Sequence, residues 1–585
     1  MPEMTGGARL AALLRAEGVD TVFGIIDGSY HGLYVSLASH GIRLITPRHE
    51  SSAVHMAGAF ARMTGRLGVC IASNGPGAAN ALPGVAVESG EGNRVLLVTS
   101  WRRSGIIAPD RGGTYQYFDQ PTVIGAMAKS SEAVASFDRL AEVMTRAFRQ
   151  CWTGRPGVVH VTVPEDIVNG SFPAPAHPDP KPSQYRVQLP IAPGAGVVRR
   201  AAELLVAAEA PMIHAGTGVV HAGAHVELRR VAELLAAPVT TSWGGRDCID
   251  ERSAVAIPMY DIELATRVRN ESDCVLALGT RLGETDWWGK PPYWRSPAEQ
   301  RMIQVDIDEL ALGRNKPVEL AVVADVKVFL AELGDALEGI DRSSSVADRS
   351  NRLVEYGRER QEHRAVLDVA LLADTEPMHS SRVAALCQEI FDDDAVLVID
   401  GGNTAIWANL YHEVRVPGTL LSTFKFGMLG AGVGQAVGAK AAHPDRQVYC
   451  IIGDGAMGFH SQEIETAIRC DLPVVFLVLC DRQWGMVKVN QEFTIDPDRT
   501  LLEGGLPSEQ NINTDLEETR FDLLGEAMGA HGERVATVVG LRAALGRSLA
   551  SGRCAVIHVD VDRRAHKFAP NLAYFKEMHA EPGGA

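Results

Sequence analysis

The stretch from Gly453 to Glu492, GDGAMGFHSQEIETAIRCDLPVVFLVLCDRQWGMVKVNQE, constrains this chain most. It sets an Asp in a glycine turn directly after an apolar strand, VYCII (Val448 to Ile452), and a second Asp, Asp481, just past the next strand, VVFLVL (Val474 to Leu479). Two acids thereby reach one edge of one sheet. Gly453 and Gly455 permit a tight turn whose N–H groups approach phosphate oxygens, and a helix expected from near Gly458 or Phe459 points its positive end to the same place. Asp454 is left free to hold a hard divalent cation, which takes oxygen ligands as Mg²⁺ prefers, and Asp481 supplies a second oxygen. A lone GDG is ordinarily just a turn. Followed by an amphipathic helix, a buried strand and a polar pair, it reads as half of a metal-diphosphate site.

With 585 residues, the length prior is roughly three to five domains. Net charge is −16 and no Lys/Arg-rich run appears, which argues against nucleic acid and anionic membrane surfaces as partners. No apolar run approaches the ~20 residues of a membrane span, and the first residues lack a basic segment followed by an apolar core, so a soluble cytoplasmic protein is expected. The nine cysteines are scattered and never spaced CxxC, the pattern of small buried hydrophobes; only Cys480 sits where chemistry could reach it.

Strand-like runs (TVFGII, GVCIAS, RVLLVTS, GVVHVTV) alternate with helical patterns, the signature of α/β units with parallel sheets covered by helices. The proline-rich FPAPAHPDPKPSQ reads as an extended linker, and a charged, apolar-poor region near 341–376 reads as a segment wrapping around the outside. The divisions expected are 1–172, a linker 173–188, a central domain 189–340, a linker 341–375, a diphosphate and metal domain 376–565, and a tail 566–585. AGAFARMTGRLGVCIASNGPGAANAL and GQAVGAKAAHPDRQVYCIIGDGAMGF echo each other: small-residue helix, turn, buried strand, glycine loop. Two copies of one α/β unit flanking a different middle domain would produce this.

The GDG segment resembles the thiamine-diphosphate motif, and almost the whole chain resembles the acetolactate synthase, pyruvate oxidase and pyruvate decarboxylase superfamily. The resemblance implies three doubly wound parallel-sheet domains, for pyrimidine binding, a central role and diphosphate binding. It implies thiamine diphosphate with Mg²⁺ held by Asp454, Asp481 and the backbone carbonyl of Gln483, the diphosphate lying along Gly453, Asp454, Gly455, Ala456 and Met457. The chain departs from the pattern at Cys480-Asp481, where Asn-Asn is usual; the Asp adds a negative charge beside a diphosphate. Glu50, in RHESSAVHMAGAFARMTG, stands at the position of the acid that hydrogen-bonds the pyrimidine and helps the cofactor lose its thiazolium C2 proton. A Glu in a first helical turn is otherwise a cap or dipole partner. In the family, Glu50 and Asp454 come from different subunits, so a homodimer or homotetramer with interfacial sites is implied.

In STFKFGMLGAGVGQAVGA the family pattern puts the support beneath the cofactor at Leu429 and the carbonyl facing its amino group at Gly427; plain core packing of Leu429 is the other reading. Asn403 and Thr404 resemble diphosphate-contacting positions, or form a helix cap. Gln116 takes the position of a substrate-facing Gln, and Ser73 of SNGPG lines the pocket floor, though both also suit surface loops. His31, in FGIIDGSYHGLY, is either a proton donor or structural. Trp484 is either a pocket wall or core. The middle domain carries a GxG at Gly216 to Gly218, a weak signal; an inherited scaffold is expected there, with FAD or an adenine nucleotide as the alternative.

The function expected is decarboxylation of a 2-oxo acid such as pyruvate with transfer of the acyl-anion equivalent to a carbonyl acceptor, as in acetolactate synthase. Alternatives are an activity like sulfoacetaldehyde acetyltransferase, which the Gln-Trp-Gly run before Lys488 also resembles, or cleavage of a 2-hydroxyacyl-CoA. A cofactor-binding paralogue without turnover is the remaining one, supported only by Cys480-Asp481.

Overall fold

The computed structural model describes residues 3–107, 109–340, 343–423 and 425–577, without the side chains of 343–345 and 575–577. Residues 578–585 of the expected tail lie outside the described residues.

Three parallel sheets carry the fold. The N-terminal sheet has six strands: β1 (Thr21–Gly24), β2 (Arg43–Ile45), β3 (Gly68–Ala72), β4 (Val95–Trp101), β5 (Ser130–Ala133) and β6 (Val158–Pro164). The central sheet has five: β7 (Pro211–Ala215), β8 (Val239–Thr241), β9 (Cys274–Leu278), β10 (Arg301–Asp306) and β11 (Leu320–Val323). The C-terminal sheet has six: β12 (Val396–Asp400), β13 (Leu420–Ser422), β14 (Val448–Gly453), β15 (Val475–Cys480), β16 (His531–Val535) and β17 (Ala555–Asp560). The strand orders are β2-β1-β3-β4-β6-β5, β8-β7-β9-β10-β11 and β13-β12-β14-β15-β17-β16. The first and third are the same permutation, so the internal echo is a repeated topology. Parallel strands covered on both faces must be apolar along their length, and β3, β9 and β12 are buried at every position.

The helices that position the site are α1 (Glu50–Thr64), α2 (Pro76–Glu91), α3 (Ser343–Asp368), α4 (Asn403–Tyr411), α5 (Ala431–Ala442), α6 (Asp454–His460), α7 (Gly485–Ile495) and α8 (Arg563–Lys567). α1 and α5 are equivalent in the two outer repeats and pack on each other. A Cβ on Gly438 would stand 2.3 Å from Met56 O, and one on Gly434 would stand 3.1 Å from Ser52 O, so glycine is what lets the backbones meet. Around this contact one apolar core runs through both outer domains, from Phe23, Val54 and Met56 to Val398, Val433 and Val478. The central domain has cores of its own. Buried Arg246 docks it to the C-terminal domain, donating to Glu251, the Asn409 side chain and the His412 carbonyl.

The charged region after the central domain, read as wrapping around the outside, contains the 26-residue helix α3. It lacks an apolar stripe because polar groups fasten it: Arg349 donates to Leu205 O, Val206 O and Ala208 O, Arg360 to Ser253 O and Ala256 O, and Tyr356 to Glu271. The helix after the GDG turn begins at Asp454, not near Gly458 or Phe459, with Gly453 as its extended N-cap, and it ends at His460. An acid in the first turn suits the helix dipole and offsets part of the weak helix propensity of Gly455 and Gly458.

Gly438→Val tests the α1–α5 contact. A side chain there must push two backbones apart, and the variant is expected to lose about 2–3 kcal/mol. Urea unfolding reads this directly, and an unchanged midpoint would show that the helices can separate freely.

Candidate functional site

In a doubly wound sheet the loops leaving the strand ends diverge where strand order reverses, and that crevice takes ligands. In the C-terminal sheet the reversal lies between β12 and β14. The loop after β12 delivers Gly401, Gly402 and Asn403; the loop after β14 delivers Gly453 and Asp454; Asp481 follows β15.

Asp454 and Asp481 are both buried. Asp454 Oδ1 accepts from Gly455 N and Oδ2 from Arg482 N, each at 2.7 Å, which fixes the carboxylate. Asp481 Oδ2 accepts from Gln483 Nε2 at 3.2 Å, and the Asp481 carbonyl accepts from Arg563 Nε at 2.8 Å. Burial, and for Asp454 also the repulsion of Asp481, push both carboxyls above the ordinary range, so each asks for a cation. Asp400, at the end of β12, is pushed up to about 6 by burial.

Beside them lies a cradle with no room for side chains. A Cβ on Gly455 would strike the Trp484 ring at 2.7 Å, one on Gly485 would lie 2.8 Å from Asn403 Nδ2 and 3.1 Å from Asp481 Oδ2, and one on Gly453 would lie 3.1 Å from Thr404 Oγ1. Asn403 is buried, yet neither its amide nitrogen nor its oxygen has a partner among the described residues. It makes no cap bond, so the cap reading falls. Thr404 Oγ1 lies 3.3 Å from His566 Nε2. Two acids wanting a cation, an orphaned amide and glycine walls fit a metal-diphosphate group. Ala456 and Met457 are buried in the first turns of α6, and Trp484 is half-buried against Gly455, with Phe459 edge-on at 6.3 Å. Gly427 turns with φ 68° on the surface, and Leu429 is half-buried at the rim of the shared core.

A second group gathers in the N-terminal domain. Glu50 opens α1, is 8% exposed, and accepts from Asn80 Nδ2 at 3.1 Å; a Cβ on Gly77 would meet its Oε1 at 3.2 Å and Ser73 Oγ at 2.4 Å. Gln116 holds φ 53° against Gly75, and its carbonyl accepts from Asn74 Nδ2. Glu50, Ser73 and Gln116 therefore share one neighbourhood. His31 does not join it: it is exposed, with Nδ1 3.1 Å from Gly28 O. Cys480 is buried in the shared core with Sγ 3.5 Å from His558 Nδ1, and burial pushes its thiol well up, so it offers no thiolate. Asn80 and Arg563 escaped sequence reading; Asn80 follows SNGPG by one helical turn, a faint signal, and Arg563 gave none.

Family comparisons agree with this geometry. Residues 4–123 match the thiamine pyrophosphate enzyme N-terminal TPP binding domain, 198–333 the central domain, and 400–559 the C-terminal TPP binding domain. The sulfoacetaldehyde acetyltransferase of Castellaniella defragrans is 30% identical over 573 residues, covering 94% of this chain and 91% of that protein. The chain belongs to the thiamine-pyrophosphate-dependent enzymes. A probable acetolactate synthase large subunit of Methanocaldococcus jannaschii is 28% identical over 570 residues (96% and 92% covered), and the acetolactate synthase isozyme 3 large subunit of Escherichia coli 27% over 575 (97% and 96%). It is thus a thiamine-pyrophosphate-dependent enzyme with three parallel-sheet α/β domains, and no described helix is long and apolar enough to cross a membrane.

The acid pair makes the stability of this enzyme pH-dependent. With both carboxyls raised in the folded chain, the folded state binds protons the unfolded one has released, so metal-free protein loses stability as pH rises from the ordinary carboxylate range towards neutrality. The expected loss between pH 5 and 7.5 in chelator is about 1–3 kcal/mol, recovered by Mg²⁺ and smaller in Asp481→Asn. Denaturant midpoints at the two pH values check it; a metal-free midpoint that rises with pH would contradict the burial argument.

Proposed function

We propose that this enzyme uses thiamine diphosphate and Mg²⁺ to decarboxylate a 2-oxo acid of the pyruvate class and to transfer the acyl-anion equivalent to a carbonyl acceptor, in the manner of acetolactate synthase. The observation that carries the reading is the buried Asp454–Asp481 pair beside the orphaned Asn403 amide at the switch point of the C-terminal sheet. Thiamine diphosphate, when bound, supplies the nucleophilic carbon and electron sink that such chemistry needs.

The chain's own residues would do the rest. Asp454, Asp481 and the Gln483 carbonyl hold the metal; Gly453, Gly455, Ala456, Met457, Asn403 and Thr404 receive the diphosphate. Gly427 and Leu429 orient the cofactor rings. Glu50, backed by Asn80, holds the proton at the pyrimidine nitrogen. Ser73, Gln116 and Trp484 enclose the substrate and exclude water. The central domain serves as a scaffold: Cβ atoms on Gly216 and Gly218 would strike Gly279 backbone at 2.4 and 2.6 Å, so loop packing accounts for that GxG without FAD or an adenine nucleotide.

Glu50 and Asp454 belong to different groups of contacts, with no described hydrogen bond between them; the links run through neighbours, as between Ser51 Oγ and His460 Nε2 at 3.3 Å and from Arg48 N to Glu463. A homodimer or homotetramer, with Glu50 of one subunit facing Asp454 of another, completes the site. Ile26, Tyr115, Phe426, Phe459 and Val487 are large apolar side chains left exposed around the two half-sites, as a subunit interface requires.

A second reading has its own support. A pocket of about 370 Å³ opens beside the loop that carries Asp481, and its lining includes the cations Lys488, Arg563, Arg564 and Lys567 together with Glu503; Lys488 and Arg563 also pair with Asp515 and Lys567 with Glu492. That lining suits a phosphate-bearing or otherwise anionic acceptor, as sulfoacetaldehyde acetyltransferase-like or 2-hydroxyacyl-CoA lyase chemistry would use.

Proton NMR of the protein with thiamine diphosphate, Mg²⁺ and pyruvate tests the choice. New methyl signals of acetolactate or acetoin are expected; unchanged pyruvate, with turnover of sulfoacetaldehyde only in the presence of phosphate, would move the function to the second reading. Glu50→Gln is expected to bind the cofactor normally and to lose at least about 10²-fold in turnover. Near wild-type rates would remove Glu50 from the chemistry.

A further inference from the structure

Two loops of the C-terminal sheet approach the site from different strands. Gly401, Gly402 and Asn403 follow β12, whereas Gly427 and Leu429 lie between β13 and α5. β12 and β13 pair as far as Ile399 and Ser422, and past that point the loops part. The second loop is closed on itself: Gly427 N donates to Thr423 O at 2.7 Å and Thr423 Oγ1 to Met428 O at 3.3 Å. It runs directly into Gly430, the N-cap of α5, which turns with φ 88° and offers no side chain to the free N–H groups of the helix start. A Cβ there would stand 2.5 Å from Phe459 Cβ, so α5 also begins close against the end of α6.

The missing cap comes from β12. Asp400, the last residue of that strand and 2% exposed, accepts from Gly432 N at 2.8 Å through Oδ2. A Cβ on Gly432 would stand 2.6 Å from Asp400 Cβ and 3.0 Å from Oδ2, so glycine is what lets the carboxyl reach the helix. Oδ1 has no hydrogen-bond partner among the described residues, which leaves the bond to Gly432 N to hold the contact. Burial raises the proton affinity of Asp400, and the N–H groups of Gly432, Gly401 and Gly430 lower it again. Two of these belong to the start of α5 and one opens the loop after β12. Among the described residues no hydrogen bond runs directly from 401–404 to 425–430, so this carboxyl is the joint between the two loops.

Thiamine diphosphate carries its diphosphate and its rings in one molecule, so a site that binds it must hold the two receiving loops at a matching separation. Fixing that separation before the cofactor arrives removes an ordering cost from binding. We propose, resting on the roles proposed above for Asn403, Gly427 and Leu429, that Asp400 is a positioning residue for the cofactor: its bond to Gly432 N sets the ring-supporting loop at a fixed distance from the diphosphate loop.

Inorganic pyrophosphate with Mg²⁺ engages the diphosphate loop and the acids alone, whereas thiamine diphosphate must span both loops. Each is titrated calorimetrically into the full-length wild type, Asp400→Ala, Asp400→Asn and Gly432→Ala. Asp400→Ala is expected to weaken thiamine diphosphate about tenfold or more and to leave pyrophosphate within about twofold. Asp400→Asn keeps an oxygen for Gly432 N and is expected to recover thiamine diphosphate binding to within about threefold of wild type. Gly432→Ala drives the helix start away from Asp400 and is expected to repeat the selective loss, which keeps the test decisive if Asp400→Ala does not fold. Wild-type binding of thiamine diphosphate establishes the cofactor in the same titration, whichever acceptor the reaction takes, so the variants report on the joint alone. Equal weakening of both ligands in Asp400→Ala or Gly432→Ala, unchanged thiamine diphosphate affinity in them, or a loss in Asp400→Asn as large as in Asp400→Ala would each overturn the assignment.

Discussion

The contact on which the outer two domains depend is the near-touching of two helix backbones, α1 at Ser52 and Met56 against α5 at Gly434 and Gly438. Helices normally stand apart by the thickness of their side chains. Here glycine removes that spacing, and the two repeats fuse around one apolar core. The polar consequences follow at the helix ends. Arg48 N donates to both Glu463 oxygens, at 3.2 and 3.1 Å, and Ser51 meets His460. The helix that begins with Glu50 is thereby held in fixed register to the one that begins with Asp454, although sequence separates them by most of the chain.

That rigidity bears on the proposed metal site, because the acid pair is electrostatically costly without a cation. Two buried carboxyls with raised proton affinity must be held near each other by groups that do not themselves neutralise them. Backbone N–H donors at Gly455 and Arg482 orient Asp454, while Gln483 and Arg563 tie down Asp481. The carboxylates themselves are bonded only by neutral donors, and Arg563 reaches the Asp481 backbone carbonyl rather than its carboxylate, which leaves much of the charge for a bound cation to satisfy.

The parts of this arrangement legible in the sequence were those that depend on local chemistry. Glycine turns after apolar strands marked β3 and β14, and the repeated pattern around them anticipated two sheets of one topology. The placement of GDG directly after β14 and of Glu50 at a helix start could be read for the same reason, since strand ends and helix starts of this kind are set by neighbours in the chain. Tertiary partners could not. Asn80 reaches Glu50 and Arg563 reaches the Asp481 carbonyl only once the fold has formed. Helix α3 was not legible as a helix because its attachment is polar, through Arg349, Tyr356 and Arg360, and leaves no apolar stripe to detect. The start of α6 was misplaced because glycines that serve close approach inside a helix look, in sequence, like a loop.

Asp481 carries the electrostatic individuality of the site. An amide ligand at that position would add no charge, whereas a second carboxylate 3% exposed beside Asp454 raises the penalty of the metal-free state and, with it, the gain on binding a divalent cation. In the proposed site the same charge would oppose a diphosphate, and a bound cation would have to offset two acids as well as the phosphates. Arg563 offsets part of this: its guanidinium sits on the Asp481 and Arg482 carbonyls and bonds Asp515, placing positive charge behind the metal loop without entering it. Metal and diphosphate affinity should therefore be coupled more tightly through Asp481 than an amide ligand would allow, each partner making the site acceptable to the other.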